Sequence, residues 1–229
     1  MYHVKKQDNT ESFVNQVHYI KVSPTSGCYI EATEEEAQGA VINGVPYSIN
    51  KSNPIEGIEA ITITKQEDWT EEMTASYNEM VLNQAKTYKL LELSEACNMA
   101  IENGADVELS DGSTESFTYT LADQANVSEM FTAVMAGATE YPYHQNGGDC
   151  KMYSAQDIVK IYSTLSGMKT GQITYQNQLK QYVKAMTDME DVYEVSYGQE
   201  LTGEYLEKYN TLIAQAQEQM QTVLSKMMG

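Results

Sequence analysis

His144 and Cys150 stand six residues apart in a glycine-bearing stretch, with Asp149 beside the cysteine. An imidazole and a thiol at that spacing suit two kinds of chemistry: ligation of a metal ion, or a nucleophilic sulfur with a base at hand. Metal sites are built from three or four ligands, usually in tight pairs, and this loop offers no such pairing. The plainer reading is a surface loop over residues 139–150, whose Tyr141, Pro142 and Tyr143 pack on a neighbouring hairpin. His3 and His18 have no evident partner. No GxSxG turn, GxxxxGK[ST] loop or GxGxxG sequence occurs, so neither serine-nucleophile nor nucleotide chemistry has a motif. The acids of Glu34-Glu35-Glu36 and Glu190-Asp191 are sequence neighbours that point in different directions, so no catalytic pair can be nominated from them. The residues therefore nominate no catalytic group, no cofactor and no metal ligand set.

The elements that position this loop begin with two alternating runs closing on Asp111-Gly112, within residues 107–120. An Asp-Gly between alternating runs is a strong hairpin signal, because glycine reaches positive φ without steric cost, and a two-residue primed turn is expected. Val107, Leu109, Phe117 and Tyr119 form its apolar face and require helices to cover them. Residues 13–22 read as one strand, followed by short strands at 28–30, 40–42, 45–49 and 58–64, with an Asn43-Gly44 turn and further turn signals at Asn53-Pro54 and Gly57. Thr33 and Glu36 suggest a capped helical turn.

From residue 68 to residue 102 nothing breaks a helix, and Asn103-Gly104 ends it; Asp68 or Thr70 can cap its start. Such a helix spans roughly 50 Å. Met73, Tyr77, Met80, Val81, Gln84, Tyr88 and Leu91 give a 4-3-4-3 stripe that fits a coiled-coil seam or, alternatively, an amphipathic helix lying on its own core. Beyond the hairpin, a helix opens near Asp123 with Asn126 or Ser128 as caps and ends at Gly137. Another runs from Ser154 to Leu165, Gly167 and Gly171 flank a short join, and a further helix follows. Residues 188–198 read as a connector with one short strand. The C-terminal stripe is Leu201, Tyr205, Tyr209, Leu212, Ala216, Met220, Val223 and Met227, closer to an 11-residue repeat than to heptads. Its glutamine-rich flanks suit docking against another helix.

The fold class is thus α+β: a β-rich docking module at 1–66, a long helix at 67–104, a hairpin-and-helix core at 105–190, and an amphipathic helix at 191–229. The candidate oligomer interface comprises Met73, Tyr77, Met80, Tyr88, Tyr205, Tyr209, Leu212, Met220 and Val223.

Composition excludes whole classes of partner. The chain of 229 residues carries 33 acidic and 14 basic side chains, a formal charge of −19, and every basic residue is lysine. A field of that sign repels nucleic acid, and arginine, the usual reader of phosphate and guanine, is absent. No run approaches a membrane span, and residues 1–6 lack the apolar core of a signal peptide, so membrane insertion is not expected. Cys28, Cys97 and Cys150, odd in number and without CxxC spacing, suggest reduced thiols made in a cytoplasm. Seventeen tyrosines against one tryptophan and three phenylalanines point to surface that meets other protein.

Residues 88–182 resemble a domain of unknown function that recurs in tail and tail-fibre-region proteins of tailed bacteriophages. The likeness is carried by Lys89-Leu-Leu-Glu-Leu-Ser-Glu-Ala-Cys97, the strand around Phe117, Asp123-Gln124-Ala125-Asn126, Lys151-Met-Tyr-Ser-Ala-Gln-Asp-Ile158, and Tyr175 with Leu179-Lys180. Residues 27–41, with Gly44-Val-Pro-Tyr47, are similar to the head of small structural proteins in phages of gut Firmicutes. This resemblance implies a non-enzymatic virion protein of the tail tip, baseplate or fibre-attachment region, concerned with host attachment and made in the bacterial cytoplasm. It implies an adaptor that partners itself, as a homotrimer, and other tail or fibre proteins. The alternatives are a tail-fibre assembly chaperone absent from the mature virion and a cytosolic enzyme using His144 and Cys150.

Overall fold

Thr70 opens the longest of the described helices, and the described residues that precede it are mainly strand. The structure, a computed structural model, describes residues 1–6, 8–27, 29–37, 39–42 and 62–228. It divides into two units, 1–81 and 82–229. The architecture is α+β.

In the first unit, β1 (Tyr2–Lys5) lies between β2 (Glu11–Val14) and β6 (Thr62–Lys65), both antiparallel to it. A second sheet centres β3 (Val17–Val22) between β4 (Tyr29–Glu31) and β5 (Gly39–Ile42). Residues 13–22 are therefore two strands, not one. The exposed polar pair Asn15-Gln16 bends the chain and hands it from one sheet to the other. Strand β1, whose two buried residues His3 and Val4 are adjacent, was not expected from the sequence. Val4, Val14 and Ile20 are buried. The first residues of helix α1 (Glu71–Glu102) close one side. There Phe13, Trp69 and Tyr77 form a mutual triangle with ring centroids 5.1 to 5.3 Å apart, and His3 packs against Phe13 at 5.1 Å. Of the two candidate caps, Thr70 is the one used, its hydroxyl accepting from Met73 N at 3.2 Å. Asp68 ends a 310 turn instead. The expected Asn43-Gly44 turn, the strand at 45–49, the Asn53-Pro54 and Gly57 turns, the start of the run at 58–64, and Cys28 lie outside the described residues.

In the second unit, α1 buries Ala85, Lys89, Leu93, Cys97 and Ile101, one residue every four. Gln84, Tyr88 and Leu91 of the expected stripe point elsewhere. The cause is Lys89, whose aliphatic stem lies on the core line while its ammonium reaches Glu92 at 2.8 Å. A charged letter at a core position disguises the pattern. Gly104, at φ +73°, ends the helix, and its N–H donates to Ile101 O at 3.0 Å.

The hairpin follows as β7 (Ala105–Glu108) and β8 (Thr114–Phe117), with Val107, Leu109, Phe117 and Tyr119 all buried. Its turn is longer than the two-residue primed form. Leu109 N donates to Ser113 O at 2.8 Å and Gly112 N to Leu109 O at 3.1 Å, with Gly112 at φ +86°. The Asp111 carboxylate secures it by accepting from Ser113 N at 2.9 Å and Ser113 Oγ at 2.6 Å. Helix α2 (Leu121–Met135) begins at a capping box of Thr120 and Asp123, ahead of the expected Asn126 or Ser128. Asp123 also accepts from Thr118 Oγ1 at 2.8 Å. Burial raises this carboxyl, but the hydrogen bonds from Thr120, Thr118 and Tyr143 outweigh it and hold it below its ordinary value.

Residues 139–150, expected as plain loop, contribute to a second hairpin, β9 (Glu140–Tyr143) with β10 (Lys151–Ser154). Its tip reaches the edge of β8: Asn146 N donates to Ser116 O at 2.9 Å, and Thr118 N donates to Asn146 Oδ1 at 2.7 Å. Ser154 then caps α3 (Ala155–Ala185), accepting from Asp157 N, while Asp157 accepts from Ser110 N at 2.7 Å. One carboxylate thus ties the first hairpin's turn to the start of α3. Helix α3 runs unbroken through Gly167 and Gly171, where a join was expected. Each glycine costs the helix about 1 kcal/mol relative to alanine. Full burial of Ile158, Ile161 and Leu165 before them and of Leu179 and Val183 after them exceeds that, at about 1.5–3 kcal/mol per large aliphatic side chain. The connector forms a short helix, α4 (Met189–Glu194), capped by Asp188, and no strand. Helix α5 (Gly203–Met228) completes the chain.

Two cores result. One joins the end of α1, both hairpins, α2 and the first half of α3. The other joins α1, the second half of α3, α4 and the start of α5. Helices α1 and α3 are antiparallel: Lys86 Nζ donates to Lys184 O, Gln176 Nε2 to Leu93 O, and Cys97 Sγ to Gln172 O.

A Cβ at Gly104 would lie 1.7 Å from Phe117 O, whereas one at Gly112 would meet nothing within 4 Å. Gly112→Ala carries only the left-handed conformational cost, about 1–2 kcal/mol. Gly104→Ala adds displacement of β8. Urea denaturation is expected to show Gly104→Ala losing roughly twice as much stability as Gly112→Ala, or more. Equal losses would contradict the close approach.

Candidate functional site

The register ends at Lys151↔Tyr143, so His144 and Cys150 follow and precede the last paired residues at the neck of the second hairpin's loop. Both are exposed, as is Asp149. The His144 ring stacks on Tyr143 at 5.3 Å, and its Nδ1 lies 3.1 Å from Gln145 O. That nitrogen engages its neighbour's carbonyl, so the imidazole is turned to its own loop. Among the described residues, no three His, Cys, Asp or Glu side chains are grouped as a metal site.

The most enclosed carboxylate beside this loop is Glu115. One oxygen accepts from Tyr153 OH at 2.5 Å, and the other is paired with Lys151 Nζ. Burial first, and Glu115 second, push the Tyr153 phenol up. With both oxygens engaged, Glu115 serves as a clasp between the hairpins rather than a free base. Phe117, stacked on Tyr143 at 6.1 Å and edge-on to Tyr153 at 5.9 Å, completes the contact.

The candidate interface residues fall in both units. Met73, Tyr77 and Met80 of the first unit are half-buried, Tyr77 in the aromatic cluster. In the second unit, Tyr88 is 71% exposed on α1, with Leu91 and Met99 exposed farther along the same helix. Tyr205 and Tyr209 face inward on α5, edge-on to Tyr182 at 5.5 Å and Tyr175 at 6.4 Å respectively. Met220 lines a groove. Leu212 and Val223 stand exposed at 45% and 42%.

That groove, about 1000 Å³, separates the middle of α3 from the later half of α5. Its floor on α3 includes Ser163, Gly167 and Gly171, spaced four apart and so on one face. A Cβ at Gly167 would meet nothing within 4 Å, and one at Gly171 only the Tyr209 hydroxyl at 3.9 Å. The opposite wall is Ile213, Ala216 and Met220. One end is closed by Tyr175, Tyr197 and Tyr209. Tyr197 OH donates to Gln172 Oε1 at 2.7 Å, while Tyr175 OH donates to Gln199 O at 2.7 Å and accepts from Gly198 N at 2.9 Å. Burial pushes both phenols up, Tyr197 further through the neighbouring Cys97 thiol. None of the groove's lining side chains is charged. Sequence reasoning missed it by reading Gly167 and Gly171 as a join. The four-residue spacing with Ser163 was the available signal.

Two measurements test this geometry. In a Cys28→Ser background, a thiol reagent should label one cysteine quickly, exposed Cys150, and buried Cys97 only on unfolding. Two fast thiols would contradict the packing. Tyr119, Tyr153, Tyr175 and Tyr197 are raised by burial, and Tyr143 is pushed up to about 12 by burial and Asp123. Folded values above the unfolded value of about 10 give a stabilisation that is complete below pH 10 and lost as pH rises through the folded values. Absorbance at 295 nm should show these five ionising only with alkaline unfolding. Titration of all tyrosines near pH 10 in the folded chain would contradict this.

Among the described residues, no helix is long and apolar enough to cross a membrane. The chain matches no protein-family model, no curated protein and no solved structure.

Proposed function

We propose that this chain is a non-enzymatic, oligomeric adaptor in the tail tip, baseplate or fibre-attachment region of a tailed bacteriophage, made in the bacterial cytoplasm and retained in the virion. The phage setting rests on the sequence resemblance around Lys89–Cys97, Asp123–Asn126 and Lys151–Ile158. The observation that supports an adaptor is the charge-free groove between α3 and α5, a contact surface on a chain of charge −19. Apolar side chains left outward on the long helices, Tyr88, Leu91 and Met99 on α1 and Leu212 and Val223 on α5, offer further area for partners. The partners in this reading are further copies of the chain, as a homotrimer, together with tail or fibre proteins.

The test combines light scattering after size exclusion with analysis of purified particles. The full chain should be a trimer or larger ring, and a chain ending at Gly198, which lacks α5, a monomer. Mass spectrometry should find the protein in purified virions at fixed stoichiometry. Abundance in infected cells with absence from virions would overturn the adaptor reading in favour of an assembly chaperone.

A further inference from the structure

We infer that the groove between α3 and α5 is the seat of a second copy of this chain, which docks the exposed side of its own α5, carrying Leu212 and Val223, onto the glycine floor at Gly167 and Gly171. The inference rests on the oligomeric part of the adaptor reading and names the surface that would produce it.

Charge is the first argument for this occupant. Two copies carrying −19 each repel one another, so self-contact avoids faces where acids would meet acids and is favoured where both faces lack charge. The groove lining has no charged side chain. From residue 209 to residue 225, α5 carries one, Glu218, which is exposed and does not line the groove. Acceptor and ligand segments are therefore adjacent on the same chain and share the same lack of charge.

Shape is the second. Glycines four apart on α3 remove side chains from one face of the helix and admit another helix at close range. The open space over Gly167 shows that α5 of the same chain leaves this floor uncovered. Leu212 and Val223 lie three helical turns apart on the Tyr205 side of α5, beside the groove wall at Ala216 and left exposed where α3 no longer covers that side, with Gln219 between them. They present apolar knobs with neutral amides between, matching a floor of glycine, serine and threonine. The exposed face of α1 at Tyr88 and Leu91 lacks this match, because Glu92 and Glu95 flank it with the sign that repels a second copy, whereas the charges one turn beyond Leu212 and Val223 in sequence are the lysines Lys208 and Lys226.

The test exploits the fact that the floor glycines are helical and unobstructed. Gly167→Leu adds side-chain volume into open space and raises helix propensity, so the folded chain should gain thermal stability or keep it. If a second copy sits there, overpacking should weaken self-association about 10- to 100-fold by sedimentation. Met152→Lys on β10, exposed and outside every contact surface named above, should leave association unchanged. As a measurement independent of that variant's folding, in a Cys28→Ser, Cys150→Ser background that leaves only buried Cys97, mixing Gly167→Cys chains with Leu212→Cys chains should give an intermolecular disulfide under mild oxidation, and Tyr88→Cys chains should not replace the Leu212→Cys partner. Association that survives Gly167→Leu but is lost in Leu91→Lys would overturn this inference while leaving the oligomeric adaptor intact. A monomeric wild-type chain at about 100 μM, well above micromolar affinity, would overturn the inference and the oligomeric part of that reading together. Presence in virions would still be judged separately from the particles.

Discussion

The second unit depends on α3 remaining one helix. Its first half places Ile158, Ile161 and Leu165 beneath the two hairpins and α2, and its second half places Leu179 and Val183 against α1, α4 and the start of α5. A break at Gly167 or Gly171 would uncouple these cores. Two glycines in a helix are tolerated because apolar anchors at both ends fix the axis, and α1 lies antiparallel alongside with hydrogen bonds at Lys86, Leu93 and Cys97. The absence of side chains at the centre of α3 then has a positive result: α5 packs closely near Tyr205 and Tyr209 and leaves a groove farther along.

Carboxylates do much of the positioning around that helix. Asp123 holds the start of α2 and accepts from the second hairpin through Tyr143, at 3.4 Å. Asp157 holds the start of α3 and the turn of the first hairpin, while Glu115 joins β8 to β10. Each group replaces water with hydrogen bonds from neighbouring elements, so the acidity of the chain is not confined to solvent-facing charge. Three of its acids serve as joints.

Sequence carried the parts of the fold that are spelled by local chemistry. The Asp111-Gly112 hairpin and its apolar face, the stop at Asn103-Gly104 and the start of α3 at Ser154 were legible because each follows from a turn or cap acting within a few residues. The core line of α1 was not, since Lys89 occupies it and pattern reading counts that position as polar. The second hairpin was hidden because four-residue strands interrupted by Pro142 carry too little alternation to register. The groove was the least legible feature. It is made of missing side chains, and only the antiparallel path of α5, fixed by contacts distant in sequence, turns those vacancies into a surface. His144 and Cys150 stand just beyond the last strand pair of the second hairpin and are left exposed, the imidazole engaged with Tyr143 and Gln145, and no three metal-ligating side chains are grouped among the described residues.

Asn146 has an effect out of proportion to its size. By accepting from Thr118 N and donating to Ser116 O, it occupies the free edge of β8 as a neighbouring strand would. A two-stranded hairpin with an open edge is a template on which identical chains stack into fibrils. With that edge stopped by a loop of the same molecule, β8 offers no free edge to a strand from another copy, and a crowd of many copies in one place cannot use it to propagate a sheet.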